Sequence, residues 1–346
     1  MFGVLKRGAM EMSLDARKRS ILASVIRAYI ETGEPVGSKA LISREKLDLS
    51  SATVRNEMNE LEKEGLIEKP HTSAGRIPTN EGYRFYVSNA LSEYELSPYE
   101  TAVLERAFSR GNTMEDTLRE MTSGMAKFSG CAVFTIAPMC GDGRFSYKVF
   151  PSGRKTVGIM AVSSENSVRT CFIKTDNEPK ALLCGKLEKL LCKYFSEISD
   201  ESLSKDKFKA FRSEIPEELG DAYEYIERFL LKLRNFELYI GGASNLFSYP
   251  EFAETETIRR FMNFISDEDD IKKILLNGFY SNSISIRIGE ENKLFPMKST
   301  SVISVGRAGK FPLVIGVMGP TRMYYSRIIS GCNHLLREMG KVWGEN

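Results

Sequence analysis

Residues 49–87 decide how the N-terminal part of this chain folds, and they read LSSATVRNEMNELEKEGLIEKPHTSAGRIPTNEGYRFYV. In the first half of this segment, Val54, Met58 and Leu61 follow one another at i, i+4 and i+7, so they share one face of a helix. A serine at position 50 or 51 can cap the start of this helix, and Gly65 suits its end. The segment therefore predicts an amphipathic helix, followed by a short apolar strand.

Two further helical patterns precede this segment. Apolar residues recur at helical spacing from Leu14 to Ile30, and this first helix is predicted to stop at Gly33, before Pro35. Ser38 is a candidate N-cap for a short second helix. The order helix, helix, turn, helix and strand is that of a winged helix-turn-helix, whose third helix enters the major groove of DNA.

The face of the third helix opposite its apolar stripe carries side chains that can bond to DNA. Arg pairs with guanine, Asn with adenine, and Ser or Thr reaches phosphates or bases. Four glutamates favour the alternative of an ordinary surface helix, because they would repel phosphates, but residues 50–56 contain no acid. The predicted DNA-binding residues of the helices are Ser38, Ser51, Thr53, Arg55, Asn56, Asn59 and Lys63.

The stretch KPHTSAGRIPT, residues 69–79, predicts the wing. A turn at SAG leads into a returning strand, and Thr79 or Asn80 caps the next helix. Because the stretch has no acid, it can lie on a phosphate backbone, and Arg76 is expected to enter a minor groove. The predicted DNA-binding residues of the wing are Lys69, His71, Thr72, Ser73 and Arg76.

Charge is distributed unevenly over the 346 residues, although the net charge is only +2. Residues 201–272 hold 10 basic and 16 acidic side chains, whereas residues 273–346 hold 10 and 4. The acidic block predicts a separate unit in the middle of the chain. No apolar run approaches the roughly 18 to 20 residues that span a bilayer, and no signal-peptide pattern opens the chain. We therefore expect a cytoplasmic protein without a membrane partner.

The segment 49–87 closely resembles the heat-inducible transcription repressor HrcA of bacteria. The stretches YIGGASNLFSYPEF, IRIGEEN and IGVMGPTRMYYSRII resemble the C-terminal motifs of the same family. The chain departs from the family pattern at Tyr324, where an acid is usual, and at KSTSVIS, where Asp-Cys-Ser is frequent.

This resemblance implies a dimeric repressor that binds an inverted-repeat operator in double-stranded DNA ahead of chaperone operons. It also implies that the GroEL chaperonin modulates the activity, so that unfolded proteins occupying the chaperonin release the repression. The fold that it implies has an N-terminal winged helix, a GAF-like domain, and a dimerisation domain inserted into the latter.

The expected fold class is therefore α+β multidomain, with a winged helix-turn-helix, a GAF-like α/β domain and an inserted helix-rich dimerisation domain. Strand patterns between residues 131 and 174, and again after residue 282, agree with an interrupted domain. The expected layout is a winged-helix domain at 1–90, with disorder in 1–13, GAF-like parts at 91–200 and 273–346, and an insert at 201–272. The apolar helical stripes of the insert fit either its own core or a contact between subunits.

Enzymatic and metal-binding motifs are weak in this sequence, and we expect no enzyme. VGRAGK lacks the four residues between glycines and the Ser or Thr after Lys310 that a P-loop needs. His71 and Ser73 as a hydrolytic pair would be two residues apart, without a Gly-x-Ser-x-Gly elbow. Two histidines and no Cys-x-x-Cys pair predict no metal and no cofactor. The alternative function is a one-component regulator that senses a small ligand through its GAF-like domain.

Overall fold

The N-terminal head, residues 14–89, has the order of elements of a winged helix-turn-helix. The computed structural model describes residues 14–45, 49–71, 74–89, 93–106, 108, 113–138, 143–164, 167–198, 202–233, 236–276, 283–292, 299–307 and 312–342. The elements of the head are α1 (Ala16–Thr32), α2 (Ser38–Glu45), α3 (Ser51–Lys63), β1 (Ile67–Glu68), β2 (Ile77–Pro78) and α4 (Asn80–Asn89). The predicted helices and the predicted returning strand are all present.

The ends of these helices follow the capping residues in the sequence. Ser50 is the N-cap of α3, since its side chain accepts a hydrogen bond from the Thr53 amide. Gly33 ends α1 in the left-handed region, at φ 68°. In the wing, Ile67 and Glu68 pair with Pro78 and Ile77 as an antiparallel strand pair.

The remaining chain forms a body and an inserted module. Its elements are α5 (Pro98–Glu105), α6 (Met114–Ser129), β3 (Ala132–Pro138), β4 (Phe145–Pro151), β5 (Thr156–Ser163), β6 (Val168–Lys174), α7 (Ala181–Phe195), α8 (Lys205–Glu214), α9 (Tyr223–Leu233), β7 (Phe236–Gly241), α10 (Thr255–Ser266), α11 (Glu268–Leu276), β8 (Ile284–Ile288), β9 (Thr300–Arg307), β10 (Leu313–Pro320) and α12 (Tyr325–Val342). We call residues 93–138 and 236–342 the body, and residues 143–233 the inserted module. Within the described residues, every helix is too short or too polar to cross a membrane.

The body is built on a five-stranded antiparallel sheet in the order β7-β3-β10-β9-β8. Both faces of this sheet are apolar, because its strands β9 and β10 are nearly continuous hydrophobic runs. Ile315 and Val317 belong to the core under α6 and α12. Val314 and Phe134 belong to the opposite core, under α10 and α11. The sheet is thus the middle layer of three.

The inserted module has its own sheet and its own core. Strands β4, β5 and β6 form a three-stranded antiparallel sheet, and α7, α8 and α9 contribute to the core on one of its faces. The chain leaves the body after β3 and returns at β7, and these two strands pair with each other from Val133↔Gly241 to Pro138↔Phe236. The module therefore interrupts the sheet between two neighbouring strands without disturbing their register.

This packing differs from the expected insert at 201–272. The ring of Phe195 lies 5.3 Å from that of Phe208 and 5.1 Å from that of Phe211, so the expected boundary at residue 200 passes through one core. Residues 236–276 instead belong to the body, where β7 is an edge strand of the central sheet and α10 and α11 cover one of its faces. The acidic residues of 201–272 therefore do not mark the boundaries of the inserted unit. They lie on the solvent side of helices, and this is so for helices of the module and of the body alike.

The head is packed on the body through one continuous core. The Tyr83 ring of α4 lies 6.2 Å from the Tyr325 ring of α12. Next to it, Arg84 pairs with Glu291 and donates to the Ile286 carbonyl oxygen at 2.7 Å. The motifs GYRFYV, IGEEN and GPTRMYY therefore meet at the boundary between head and body.

Candidate nucleic-acid interface

Helix α3 presents a polar face to solvent. Val54, Met58 and Leu61 are buried in the core of the head, as the i, i+4, i+7 spacing predicts. Arg55 and Asn56 point away from that core and are exposed. No ion pair or hydrogen bond of the Arg55 side chain is found among the described residues. These two side chains are therefore available to the edges of bases.

The N-termini of α2 and α3 meet in a shallow cleft. The hydroxyl oxygens of Ser38 and Ser51, the first residues of the two helices, are 3.2 Å apart. Helix N-termini carry unpaired backbone amides and a partial positive charge, so they attract phosphate. The residues that line the cleft are Gly37, Ser38, Lys39, Ala40, Ser51, Ala52 and Arg55. Its chemistry suits a phosphate group of the DNA backbone.

Lys39 is the residue of this cleft that sequence reasoning missed. It is exposed and follows directly after Ser38 at the start of α2. The signal was present in the sequence, since a basic residue beside a helix N-cap in a helix-turn-helix strengthens a phosphate site. The sequence alone did not point to Lys39, because the spacing along the chain does not show that the start of α2 lies beside the start of α3.

Each of the four glutamates of the α3 region has a basic partner. Glu57 lies 3.9 Å from Arg17, Glu60 lies 2.8 Å from Lys63, and Glu64 lies 2.9 Å from Lys18. Glu62 pairs with Arg76 at 2.8 Å and with Lys69 at 3.5 Å. The hydrogen bond with Lys63 lowers the pKa of Glu60 below its usual value. The acids that argued against DNA binding are thus paired with basic side chains of α1, of the wing and of α3 itself.

Arg76 takes a different position from the predicted one. Its guanidinium donates to Glu62 at 2.9 Å and to the Asn59 side-chain oxygen at 2.7 Å, and the side chain is only 12% exposed. The backbone of Arg76 also pairs with that of Val36. Gly75 makes this approach possible, because a Cβ there would lie 2.5 Å from the Val36 carbonyl carbon. Arg76 therefore ties the wing to α3 instead of reaching outward.

The other predicted residues are partly engaged with neighbours. The Thr53 and Ser50 hydroxyl oxygens are 2.8 Å apart, which joins Thr53 to the cap of its own helix. Lys63 and Lys69 hold ion pairs with Glu60 and Glu62, and His71 is exposed at the wing. Thr72 and Ser73 lie outside the described residues. Of the predicted set, Arg55 and Asn56 are the most open to a partner.

Comparison with known proteins identifies the family. The family model "HrcA protein C terminal domain" matches residues 115–329. The heat-inducible transcription repressor HrcA of Ruminiclostridium cellulolyticum is 31% identical over 339 residues, which cover 95% of this chain and 97% of that protein. The HrcA of Moorella thermoacetica is 32% identical, with 92% and 95% covered. This chain belongs to the HrcA family.

The resemblance to HrcA in the sequence is thereby confirmed. The crystal structure of a hypothetical protein at 2.2 Å resolution has the same fold, with a TM-score of 0.60 at 22% identity, covering 95% of this chain and 98% of that one. HrcA relatives are heat-inducible transcription repressors, which is a non-enzymatic role. A winged helix with an open Arg-Asn face is the part of the molecule suited to that role.

Proposed function

We propose that this HrcA-family protein represses heat-shock chaperone operons by binding an inverted-repeat operator in DNA as a homodimer. The observation that carries the proposal is the state of α3. Arg55 and Asn56 are exposed, whereas all four glutamates in and after the helix are paired with basic residues. A helix of this kind can approach a phosphate-lined groove without repulsion. Acting on DNA, the protein would work in the cytoplasm.

In this proposal, the start of α3 reads bases and the cleft beside it holds a phosphate. Arg55 would pair with a guanine and Asn56 with an adenine in the major groove. Lys39, with the backbone amides at the starts of α2 and α3, would bind the flanking phosphate and set the register of the helix. The wing would support α3 through Arg76, and His71 would lie against the DNA backbone.

We propose that the inserted module, not the predicted region 201–272, joins two copies of the chain. The face of its sheet away from α7 carries cross-strand neighbours Phe150, Gly158 and Phe172, with ring centroids of the two phenylalanines 6.5 Å apart. Phe172 is 57% exposed and Val168 is 45% exposed. Exposed apolar surface of this kind on one sheet face is typical of an interface between protein chains.

The apolar helical stripes, for which a contact between subunits was one of two expectations, are buried within a single chain. Ile226, Phe229 and Leu230 of α9 are buried in the module core, and Phe261 and Phe264 of α10 are buried against the central sheet. The outer sheet face is therefore the better candidate for a two-fold contact, in which the same patch meets its copy. A dimer makes binding of the second half-site effectively intramolecular.

We further propose that the GroEL chaperonin modulates this repressor. The support is the family, whose relatives are named heat-inducible repressors, together with the motifs through which the chain resembles them. Adding chaperonin to purified protein should raise the fraction able to bind operator DNA. Equal operator binding with and without chaperonin would contradict this part of the proposal.

Footprinting on the protein's own chaperone promoters tests the central claim. We expect protection of two half-sites related by a dyad, and a gel-shift affinity for that site about a thousandfold above that for random DNA of equal length. The Arg55→Ala variant, which leaves the head core untouched, serves as the matched negative. Uniform protection along the promoter, or equal affinity for random DNA, would overturn the proposed function.

A further inference from the structure

A histidine and two glutamates from two helices converge at one end of the α5–α12 contact. His334 and Glu338 are one turn apart on α12, and Glu105 is the last residue of α5. One ligand atom from each residue lies within 4.8 Å of the other two. The His334 Nε2 atom is 3.6 Å from Glu105 Oε1. This cluster has no part in the DNA interface described above.

The imidazole of His334 is short of a partner. The residue is only 8% exposed, and its Nε2 atom is buried without a hydrogen bond among the described residues. A separation of 3.6 Å from Glu105 is too long for a hydrogen bond. Leaving a buried nitrogen unpaired is unfavourable, and proteins rarely keep one without a reason. Here the nitrogen faces two carboxylates, which is the arrangement of a metal-binding group.

We propose that His334, Glu105 and Glu338 bind a divalent transition-metal ion, with zinc as the best fit. Zinc takes imidazole nitrogen and carboxylate oxygen at about 2.0–2.2 Å, and water can complete a tetrahedral set. Calcium and magnesium prefer oxygen ligands alone, so the buried imidazole selects against them. The present spread of the three atoms requires the carboxylates to close by roughly 1 Å, which the half-exposed Glu105 can do by rotation.

Lys341 competes with the ion for Glu338. Its ammonium group lies 2.7 Å from a Glu338 oxygen, and this exposed pair has to open before Glu338 can bind metal. Surface pairs of this kind are weak, so the competition lowers the affinity without abolishing it. We therefore infer binding in the micromolar range rather than that of a closed structural site with four ligands.

A bound ion would fasten α5 to α12. Helix α5 is the first helix of the body after the head, and it already contacts α12 through the Glu100–Arg327 ion pair at 2.6 Å. A second link at the other end of α5 would hold this helix at both ends. Metal binding would then stabilise the native body against unfolding, since an ion that binds only the folded state shifts the equilibrium toward it.

Calorimetric titration of the chelator-treated full chain with zinc chloride tests the proposal. We expect one zinc bound per chain by the wild type, and a melting temperature raised by about 5 °C at saturation. Glu105→Gln and His334→Gln should each weaken zinc binding at least tenfold. Glu95→Gln, at an exposed glutamate that precedes α5 and lies outside the cluster, should bind as the wild type does, and Lys341→Met should bind zinc more tightly.

Zinc binding that survives in both Glu105→Gln and His334→Gln would place the ion elsewhere, on thiols for example, and overturn the proposal. Absence of zinc binding by the wild type would do the same. If His334→Gln fails to fold, Glu105→Gln decides, because that side chain is exposed and its amide keeps the shape of the carboxylate. Substitution with cobalt adds a check, since the visible spectrum of the bound ion reports its coordination, and at a cobalt concentration near the wild-type dissociation constant the signal should fall sharply in the Glu105→Gln protein.

Discussion

The head and the inserted module expose opposite kinds of surface. In the head, the open face of α3 is polar, and its glutamates are held in ion pairs. In the module, the open face of the sheet carries Phe150, Met160 and Phe172, with rings in contact across the strands. The first surface suits phosphates and base edges, and the second suits another apolar surface. Under the proposed function, DNA recognition and self-association would therefore belong to separate parts of one chain.

The two regions also differ in how the chain builds them. The head is one continuous segment of the chain, residues 14–89. The module is enclosed between β3 and β7, which are neighbours in the body sheet. A module inserted in this way can form a contact with a second chain while the body sheet keeps its register. Variants that remove the module face should therefore leave the head folded and able to bind a single half-site, and variants of α3 should leave self-association unchanged.

The largest effect is expected from a charge on the module face. Phe172→Asp should convert the dimer to a monomer, because an unpaired carboxylate would be buried in the contact. Operator affinity should fall about a hundredfold or more as the second half-site becomes a separate binding event. Sedimentation velocity and gel shift measure the two effects. Leu182→Asp, at a 71% exposed residue of α7, is the matched control and should remain dimeric.

The next effect is on the stability of the fold and is expected in the body that joins the two regions. Burial opposes ionisation of Glu100, but hydrogen bonds from Arg327 and Ser97 outweigh it and lower the pKa to about 2 from 4.5. Because the folded pKa is depressed, this stabilisation is fully present above pH 4.5 and is lost as the pH falls toward 2. Glu100→Gln should cost roughly 3 kcal/mol of unfolding free energy at pH 7.

Urea unfolding at several pH values measures that loss. The difference between wild type and Glu100→Gln should shrink steadily below pH 4.5. A constant difference down to pH 2.5 or so would mean that Glu100 is not held ionised by its neighbours. Head and module surfaces should be unaffected at neutral pH, so operator binding by the folded variant should match that of the wild type.

Within the head, the start and the end of α3 should behave differently. Arg55→Ala should weaken operator binding by roughly 1–3 kcal/mol and leave binding to random DNA nearly unchanged. Lys63 lies at the other end of the helix and is already paired with Glu60. Lys63→Ala should therefore weaken operator binding by only a few tenths of the loss expected for Arg55→Ala. Paired titrations with operator and scrambled DNA decide, and an equal loss on both would contradict base reading by Arg55.

The smallest effect is expected from the wing. Since Arg76 bonds to Asn59 and Glu62, Arg76→Ala should weaken operator binding by about 1 kcal/mol through a freed Asn59. The slope of log affinity against log salt should stay unchanged. A decrease of the slope by about 0.9 would instead mean that Arg76 contacts a phosphate when DNA is bound, in line with the prediction from the sequence.

Much of the head could be predicted from the sequence, because its signals are local. Periodicity at Val54, Met58 and Leu61, the cap at Ser50 and the glycines at the helix ends are all set by neighbours within a turn or two. The open positions of Arg55 and Asn56 follow from the same periodicity. The partners of Arg76 do not follow from periodicity. A basic side chain on a wing can reach outward to DNA or back to α3, and only the packing of the head decides which of the two occurs.

By itself, the sequence determined the helices and wing of the head, strands β3–β6 and β8–β10, the family, and the polar face of α3, since these depend on spacing along the chain. Strand β7 (Phe236–Gly241) was missed, because it follows α9 within a region whose apolar pattern was taken as helical. The tertiary structure decided which strands pair. Strand β3 pairs with β7, which lies about 100 residues further on, and β4–β6 form a sheet of their own, which moved the inserted unit from 201–272 to 143–233. It also brought Glu105 to His334 and Glu338. Contacts between distant residues arise from packing and hydrogen bonding among whole elements, and no local pattern encodes them.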